Sequence, residues 1–538
     1  MNLPMNLPVR QCNCTMSRRS ALAGCVAGCL GASAALAGLA IPKSCAANTS
    51  SEERTKIRVV FLLTNLPVST WPDWPHVGFD ARPTMERIMN ALTTGCPEIE
   101  FVESQVCSPN LHEGAGLAKD IVDADHSKGD IDGYLVVQIN LVSAGIHSVV
   151  ASGKPVLYAD HIFGGSHAFL TNTSQFYHSK TENVASIASS SLAHLVAATK
   201  CLPLAKTGGN KAFTDAVAKL RRDIVAGVNV DMKCIDDKFD MLSIDDLRKE
   251  LKTKKILEFE QGWGDVIEPT KEIFGINIIR RPYTELHDLW TKADKDQAME
   301  IVKRWQMSAT DIVDVSCETL EKSARMYLAM KQCLKNHGAE SITINCFGGF
   351  MGGALQAYPC LGFLELLNEG LVGACECDTL STLTMTVMTT LTKGRPGFIS
   401  DPVIDIASKQ ITYTHCVAST KALGPKGPSN PYAILTHNED RAGASVRSML
   451  PSGYMTTTLQ MQPTQKMILF HQAKAVGNDT RDYACRTKLA AVPVGDFEKL
   501  MREGWAGWGW HRVTFYGDLK EPVFALADAL GWEVIEEA

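Results

Sequence analysis

Leu371-Val372-Gly373-Ala374-Cys375-Glu376-Cys377-Asp378, the run from Thr379 to Leu391, and Arg395-Pro396-Gly397-Phe398-Ile399-Ser400-Asp401 together decide how this chain folds. Within them Leu380, Leu383, Val387, Met388 and Leu391 recur at helical spacing, and Gly394 with Pro396 stops the helix. The threonines at its other positions make the helix, read as 378–392, a poor former alone, so it must be packed. Short apolar runs flank it, so the unit reads βαβ. Glu376 and Asp401 then fall at or near the C-terminal ends of neighbouring strands, where ligand sites of open α/β sheets lie. In an extended segment Cys375 and Cys377 face the core and Glu376 faces the crevice. Two carboxylates with an imidazole suffice to hold a hard divalent cation and leave positions for substrate oxygens.

Upstream, Ile57–Leu63, Glu98–Val102, Gly133–Val137 and Pro155–Tyr158 read as buried strands, with helical stretches at 82–92 and 114–124. A second set follows at Lys254–Phe259, Gly275–Ile279 and Ser341–Asn345, with helical stretches at 184–226, 244–252 and 289–335. Strands alternating with helices imply parallel sheets covered on both faces. Two α/β domains are expected, over 54–200 and 201–370. After about residue 400 the texture changes to short β-rich runs between Gly/Pro/Asn segments, among them Gln410–Thr414, Tyr454–Leu459, Met467–Phe470 and Val513–Tyr516. The fold class is therefore α/β, with two parallel-sheet domains followed by a β-rich C-terminal domain, an antiparallel sheet or barrel. That third domain, 371–538, carries the metal-site motifs and is closed by a helix from about 522 to 530.

The Ala-Cys-Glu-x-Asp stretch at 374–378, the helix after it and the Arg-Pro-x-Phe-x-x-Asp end at 395–401 resemble the L-fucose isomerase family. The resemblance extends to Trp510-His511-Arg512-Val513-Thr514-Phe515-Tyr516-Gly517, a histidine followed by a strand ending in Tyr-Gly and then a helix. It implies that Glu376 and Asp401 bind a manganese ion and serve as the acid/base pair. It also implies that His511 is the third ligand and that the protein is a homo-oligomer with a three-domain fold. The function expected is a metal-dependent aldose–ketose isomerase, working through an enediolate on an open-chain monosaccharide. The alternative is a non-catalytic exported sugar-binding protein on the same fold.

Composition sets the outer limits. The chain has 538 residues, 45% hydrophobic and 21% charged, with a net charge of −6. A mildly acidic chain lacks the basic face that a nucleic-acid partner requires. Residues 17–47 order as Arg18-Arg19, an uncharged small/apolar run from Ala21 to Ile41, then Lys43 and Ser44-Cys45-Ala46-Ala47. That is the order of an export signal, and the paired arginines resemble a twin-arginine leader. Residues 1–47 are read as leader and the protein as exported or periplasmic, or cytoplasmic if the leader does not function. No stable membrane span is expected after its removal. The remaining cysteines are scattered through apolar runs, a pattern of buried free thiols. Cys375-x-Cys377 with His415-Cys416 offers thiolate donors for zinc, but one-residue spacing in a strand suits two ligands poorly. Arg486, Trp510 and Trp74 are candidate substrate contacts. His415, His437 and His471 read as structural or surface.

Overall fold

The computed structural model describes residues 54–538 apart from 66, 67, 70, 71, 261 and 263–265; the leader lies outside the described residues. The first apolar run is strand β1 (Thr55–Leu63), buried from Val59 onward. It joins β2 (Ile99–Cys107), β3 (Gly133–Gln138), β4 (Val156–Asp160) and β5 (Val184–Ala188) in a parallel sheet of order β2-β1-β3-β4-β5. Every residue of β3 and β4 is buried, as a strand covered by helices on both faces requires. The direction of strand order reverses between β1 and β3, which opens a crevice at their C-terminal ends.

One expectation fails here. Val184–Ala188, read as the start of a helical stretch, is the edge strand β5; helices begin only at Leu192 and Leu204. Its backbone finds partners on β4 that no local pattern announces. The stretch 289–335 is likewise broken. Helices Tyr283–Lys292, Lys295–Ser308 and Cys317–His337 occupy it. Asp294 and Ser316 cap the last two by accepting backbone N–H groups, and each cap restarts a helix.

The second sheet is also parallel. Its strands are β6 (Lys255–Phe259), β7 (Asn277–Arg281), β9 (Ser341–Ile344) and β10 (Val372–Ala374), with β8 (Asp311–Val313) lying outside it; the order is β10-β9-β6-β7. The C-terminal part then turns antiparallel. Strands β11 (Phe398–Asp405), β12 (Gln410–His415), β13 (Tyr432–Leu435), β14 (Ser445–Ser448), β15 (Met455–Gln462), β16 (Met467–Asn478), β17 (Thr487–Pro493), β18 (Arg512–Tyr516) and β19 (Glu533–Glu536) follow in sequence. Among the described residues six of them close on themselves as β15-β18-β11-β12-β17-β16, sealed by the β15–β16 pairing, and β19 adds in parallel to β16. Closure leaves these six strands without an open edge. β13 and β14 pair with β8 in a small separate sheet.

The helix Thr379–Leu391 packs between these two layers, touching β9 and β10 on one side and β15 and β18 on the other. It is buried almost all round, and its threonines satisfy their hydroxyls internally. Thr382, Thr384, Thr386 and Thr390 each donate to the carbonyl four residues earlier, at 2.6–2.9 Å. The unit is not βαβ. Its leading strand β10 lies in the parallel sheet, whereas β11 pairs antiparallel with β12 and β18 in the barrel. The helix is a bridge from one architecture to the other.

Candidate metal centre

After β10 the chain leaves the extended conformation. Glu376 and Cys377 have φ of 63° and 53°, the left-handed region that few residues other than glycine occupy. The Cys377 amide donates to the Ile344 carbonyl at 3.0 Å, which holds the turn against the end of β9. The expected alternation is corrected in consequence. Cys375 is buried, and the Cys377 thiol turns to the Phe259 carbonyl at 3.3 Å. The Glu376 side chain stays 38% exposed. Asp378 caps the helix, accepting from the Ser381 amide at 2.9 Å and from its hydroxyl at 2.6 Å.

Asp401 sits inside β11, opposite Thr414 of β12, and not at the strand end that the βαβ reading gave it. On the other side Ser400 pairs with Arg512, so the same ladder carries His511 up to Asp401. His415 ends β12. Three adjacent barrel strands thus present Asp401, His415 and His511 together, and the turn after β10 lowers Glu376 onto them. Glu376 lies 3.5 Å from His415 Nε2 through Oε1 and 3.6 Å from His511 Nε2 through Oε2. Asp401 lies 3.9 Å from His415 Nε2 and 3.6 Å from His511 Nε2.

These separations exceed good hydrogen bonds, and both Nε2 atoms are buried without a hydrogen-bond partner. Orphaned imidazole nitrogens facing two carboxylates are the condition a shared cation relieves, because donors each about 2.0–2.6 Å from one ion stand about 3–4 Å apart. The residues therefore fit a divalent ion, and oxygen with imidazole donors suit manganese, iron or zinc. Behind the donors, His511 Nδ1 lies 2.9 Å from Asp378 Oδ2, the carboxylate–histidine pairing that fixes a ligand's tautomer and orientation. His415 Nδ1 lies 3.4 Å from the Cys416 sulfur.

The electrostatics agree with a cluster of opposed charges. Burial pushes the Asp401 carboxyl up to about 6, assisted by Glu376 and opposed by both histidines. Burial works against ionised Glu376 too, but the neighbouring His415 and His511 imidazoles outweigh it and hold Glu376 below the usual carboxylate range. For His511 burial favours the neutral ring, yet Asp401, Asp378 and Glu376 raise it to about 9.

Glu376, Asp401 and His511, named from the sequence, are brought together. His415, read as structural or surface, joins them with its Nε2 facing both carboxylates. Its signal was a histidine closing a β-rich run that had to pair with the run bearing Asp401. Asp378 stood inside the quoted motif with no role given, and the cap it forms explains why it also reaches His511. The substrate candidates fare differently. The buried Arg486 guanidinium is held by the Thr436 carbonyl at 2.7 Å and by Asp482 at 2.5 Å. Trp74 is 1% exposed and donates its indole N–H to Glu439 at 3.0 Å, which makes it core. Trp510 is 55% exposed, stacks on His167 at 4.8 Å and walls a cavity of about 270 Å³ with Ser143, Gly145, Thr171 and Asn172.

No family model matches the chain. The chain is similar to proteins named sulfoquinovose isomerase. That of a Clostridium strain is 25% identical over 266 residues, 48% of this chain and 58% of that protein. Those of Priestia megaterium and Alkalicoccus urumqiensis are 22% and 24% identical, each over 49% of this chain and 59% of its own length. Among solved structures, a carbohydrate transporter from Acidothermus cellulolyticus in complex with myo-inositol shows 12% identity and a TM-score of 0.17, over 64% of this chain and 90% of its own, too slight a likeness to describe this fold. The sequence likeness thus runs to sulfoquinovose isomerases, and this chain spans less than two thirds of the length of the curated relatives it matches.

Proposed function

We propose that the protein is a metal-dependent aldose–ketose isomerase of the L-fucose isomerase-like type, acting on an open-chain monosaccharide with manganese as its ion. The observation that carries this reading is the convergence of Glu376, Asp401, His415 and His511 with both Nε2 atoms unsatisfied. The isomerase names of the relatives support the reaction class.

Glu376, Asp401 and His511 would hold the cation, with His415 beside them. A bound divalent ion supplies the positive charge that draws two adjacent sugar oxygens together and offsets the charge of an enediolate. The chain's own groups do the proton work. One of the two carboxylates takes the proton from C2 and returns it at C1, and the other manages hydroxyl protons. A carboxylate suits a transfer in which the same group must accept and give back one proton. Asp378 keeps the His511 ring turned toward the site. Trp510, exposed and next to His511 in sequence, offers a flat ring for the C–H face of a sugar.

The test uses purified protein stripped with a chelator, reloaded with Mn²⁺ and given sulfoquinovose and neutral aldoses in turn. Ketose formation that requires the metal is the expected result. Tight sugar binding without turnover on any aldose, metal present, would instead establish the sugar-binding alternative. We further infer export through the Arg18-Arg19 leader and a homo-oligomeric state. Replacing both arginines by lysine should block export, and light scattering of the purified chain reads the second.

A further inference from the structure

Behind the candidate metal centre lies a second cluster of donors, made of sulfur. Cys360 opens the helix Cys360–Asn368, Cys375 follows β10, and Cys416 follows β12. These thiols come from three elements far apart in sequence, each 2% exposed or less. The Cys375 and Cys416 sulfurs stand 3.7 Å apart. Cys416 Sγ is 3.4 Å from His415 Nδ1, and Cys375, His415 and Cys416 offer donor atoms all within 4.8 Å of one another.

We propose that Cys375, Cys416 and His415 Nδ1 form a second metal site, a thiolate-containing site for zinc. Zinc–sulfur bonds of about 2.3 Å and zinc–nitrogen bonds of about 2.0–2.1 Å place tetrahedral sulfurs about 3.8 Å apart and sulfur and nitrogen about 3.6 Å apart. The 3.7 Å and 3.4 Å edges of the cluster match those lengths within about 0.2 Å. A disulfide needs its sulfurs at about 2.05 Å, which 3.7 Å does not approach. Thiols that merely fill a core point at carbon; these point at each other and at an imidazole nitrogen. The pair Cys375 and Cys377, two residues apart in sequence, is not the site, since Cys377 faces the second sheet.

The site has a consequence for its neighbour. With Nδ1 on zinc, the neutral His415 ring carries its proton on Nε2, aimed at Glu376 and Asp401. It would then orient the two carboxylates instead of binding the front cation, which Glu376, Asp401 and His511 hold. This consequence rests on the isomerase reading; the zinc site does not.

Wild-type protein decides the matter, whatever its activity. Elemental analysis after gel filtration should find stoichiometric zinc that survives exchange of the front ion for manganese. Cobalt in its place should give thiolate-to-cobalt charge-transfer bands with intense tetrahedral visible absorption. Those bands should persist in Glu376→Gln and vanish in Cys416→Ser. Wild-type protein with no zinc, no thiolate–cobalt bands after reconstitution, and Cys375 and Cys416 alkylated as free thiols would overturn the proposal. A Cys375–Cys416 disulfide found by mass spectrometry would overturn it equally. The wild-type readouts stand even if Cys416→Ser does not fold.

Discussion

Among the described residues, two groups of three or more neighbouring donors combine carboxylate and imidazole, one around Glu285 and one around Glu376, and the second leaves donor atoms unspent. In the second α/β region Glu285 lies 2.7 Å from His337 Nε2 and 3.6 Å from the Cys333 sulfur, while Arg281 pairs with its other oxygen. Every strong group there has a partner, and the surface is near. In the barrel the same residue types keep apart by 3.5–3.9 Å, and two buried imidazole nitrogens go unsatisfied. The contrast shows that the same residue types satisfy one another or stay unsatisfied according to the scaffold that holds them. What matters is a scaffold that holds donors at a distance where they cannot satisfy one another, because an unpaired buried polar atom costs about 1–3 kcal/mol and a cation removes that cost.

The sharpest break of this contrast is Glu376→Gln, which keeps size and hydrogen-bonding atoms while deleting charge. We expect folded protein with little bound metal and no isomerisation, read by elemental analysis and ketose assay. Metal content and turnover equal to wild type would reduce the barrel cluster to the status of the Glu285 cluster.

Next comes the scaffold itself. Leu383 is fully buried on the bridging helix, and Leu383→Ala should cost about 2–5 kcal/mol in denaturant unfolding. A cost below about 0.5 kcal/mol would mean the helix does not brace the site.

Asp378→Asn probes the support behind one imidazole. It retains the helix cap but weakens the hold on His511 Nδ1, so metal affinity should fall about 10–100-fold while the fold persists. Titration of the stripped protein with Mn²⁺ measures this directly, and an unchanged affinity would assign Asp378 to capping alone.

The smallest effect belongs to the satisfied cluster. Glu285→Gln should leave metal binding untouched and change stability by about 0–1 kcal/mol. Burial opposes ionised Glu285, but His337 and Arg281 outweigh it and lower its carboxyl below the usual range. A carboxyl lowered in the folded state contributes stability above its unfolded value of about 4.3 and loses it as pH falls through the folded value. The variant should therefore converge with wild type in thermal stability as the pH drops below about 4. A gap that widens on acidification would reverse this assignment.

The sequence by itself determined the local pieces. Apolar runs gave β1, β3, β4, β6 and β9 close to where they lie, because a strand buried on both faces must be apolar throughout. The stripe of Leu383, Val387 and Leu391 gave the buried helix, and the spacing around it singled out Glu376 and Asp401. Only the tertiary structure decided what these pieces join. Whether the strand after the helix belongs to the parallel sheet or to the barrel depends on which backbone it pairs with, and Asp401's partner Thr414 in β12 lies 13 residues away along the chain and β18 more than 100. The left-handed turn at Glu376 and Cys377 is set by the Ile344 carbonyl at the end of β9 and has no glycine to announce it. His415 reached the site through strand register, and Arg486 and Trp74 left the list of sugar contacts through partners some 4 to 365 residues distant. Periodicity reports which face of an element is buried; register and long-range hydrogen bonds choose what that face meets, and those are properties of the assembled chain.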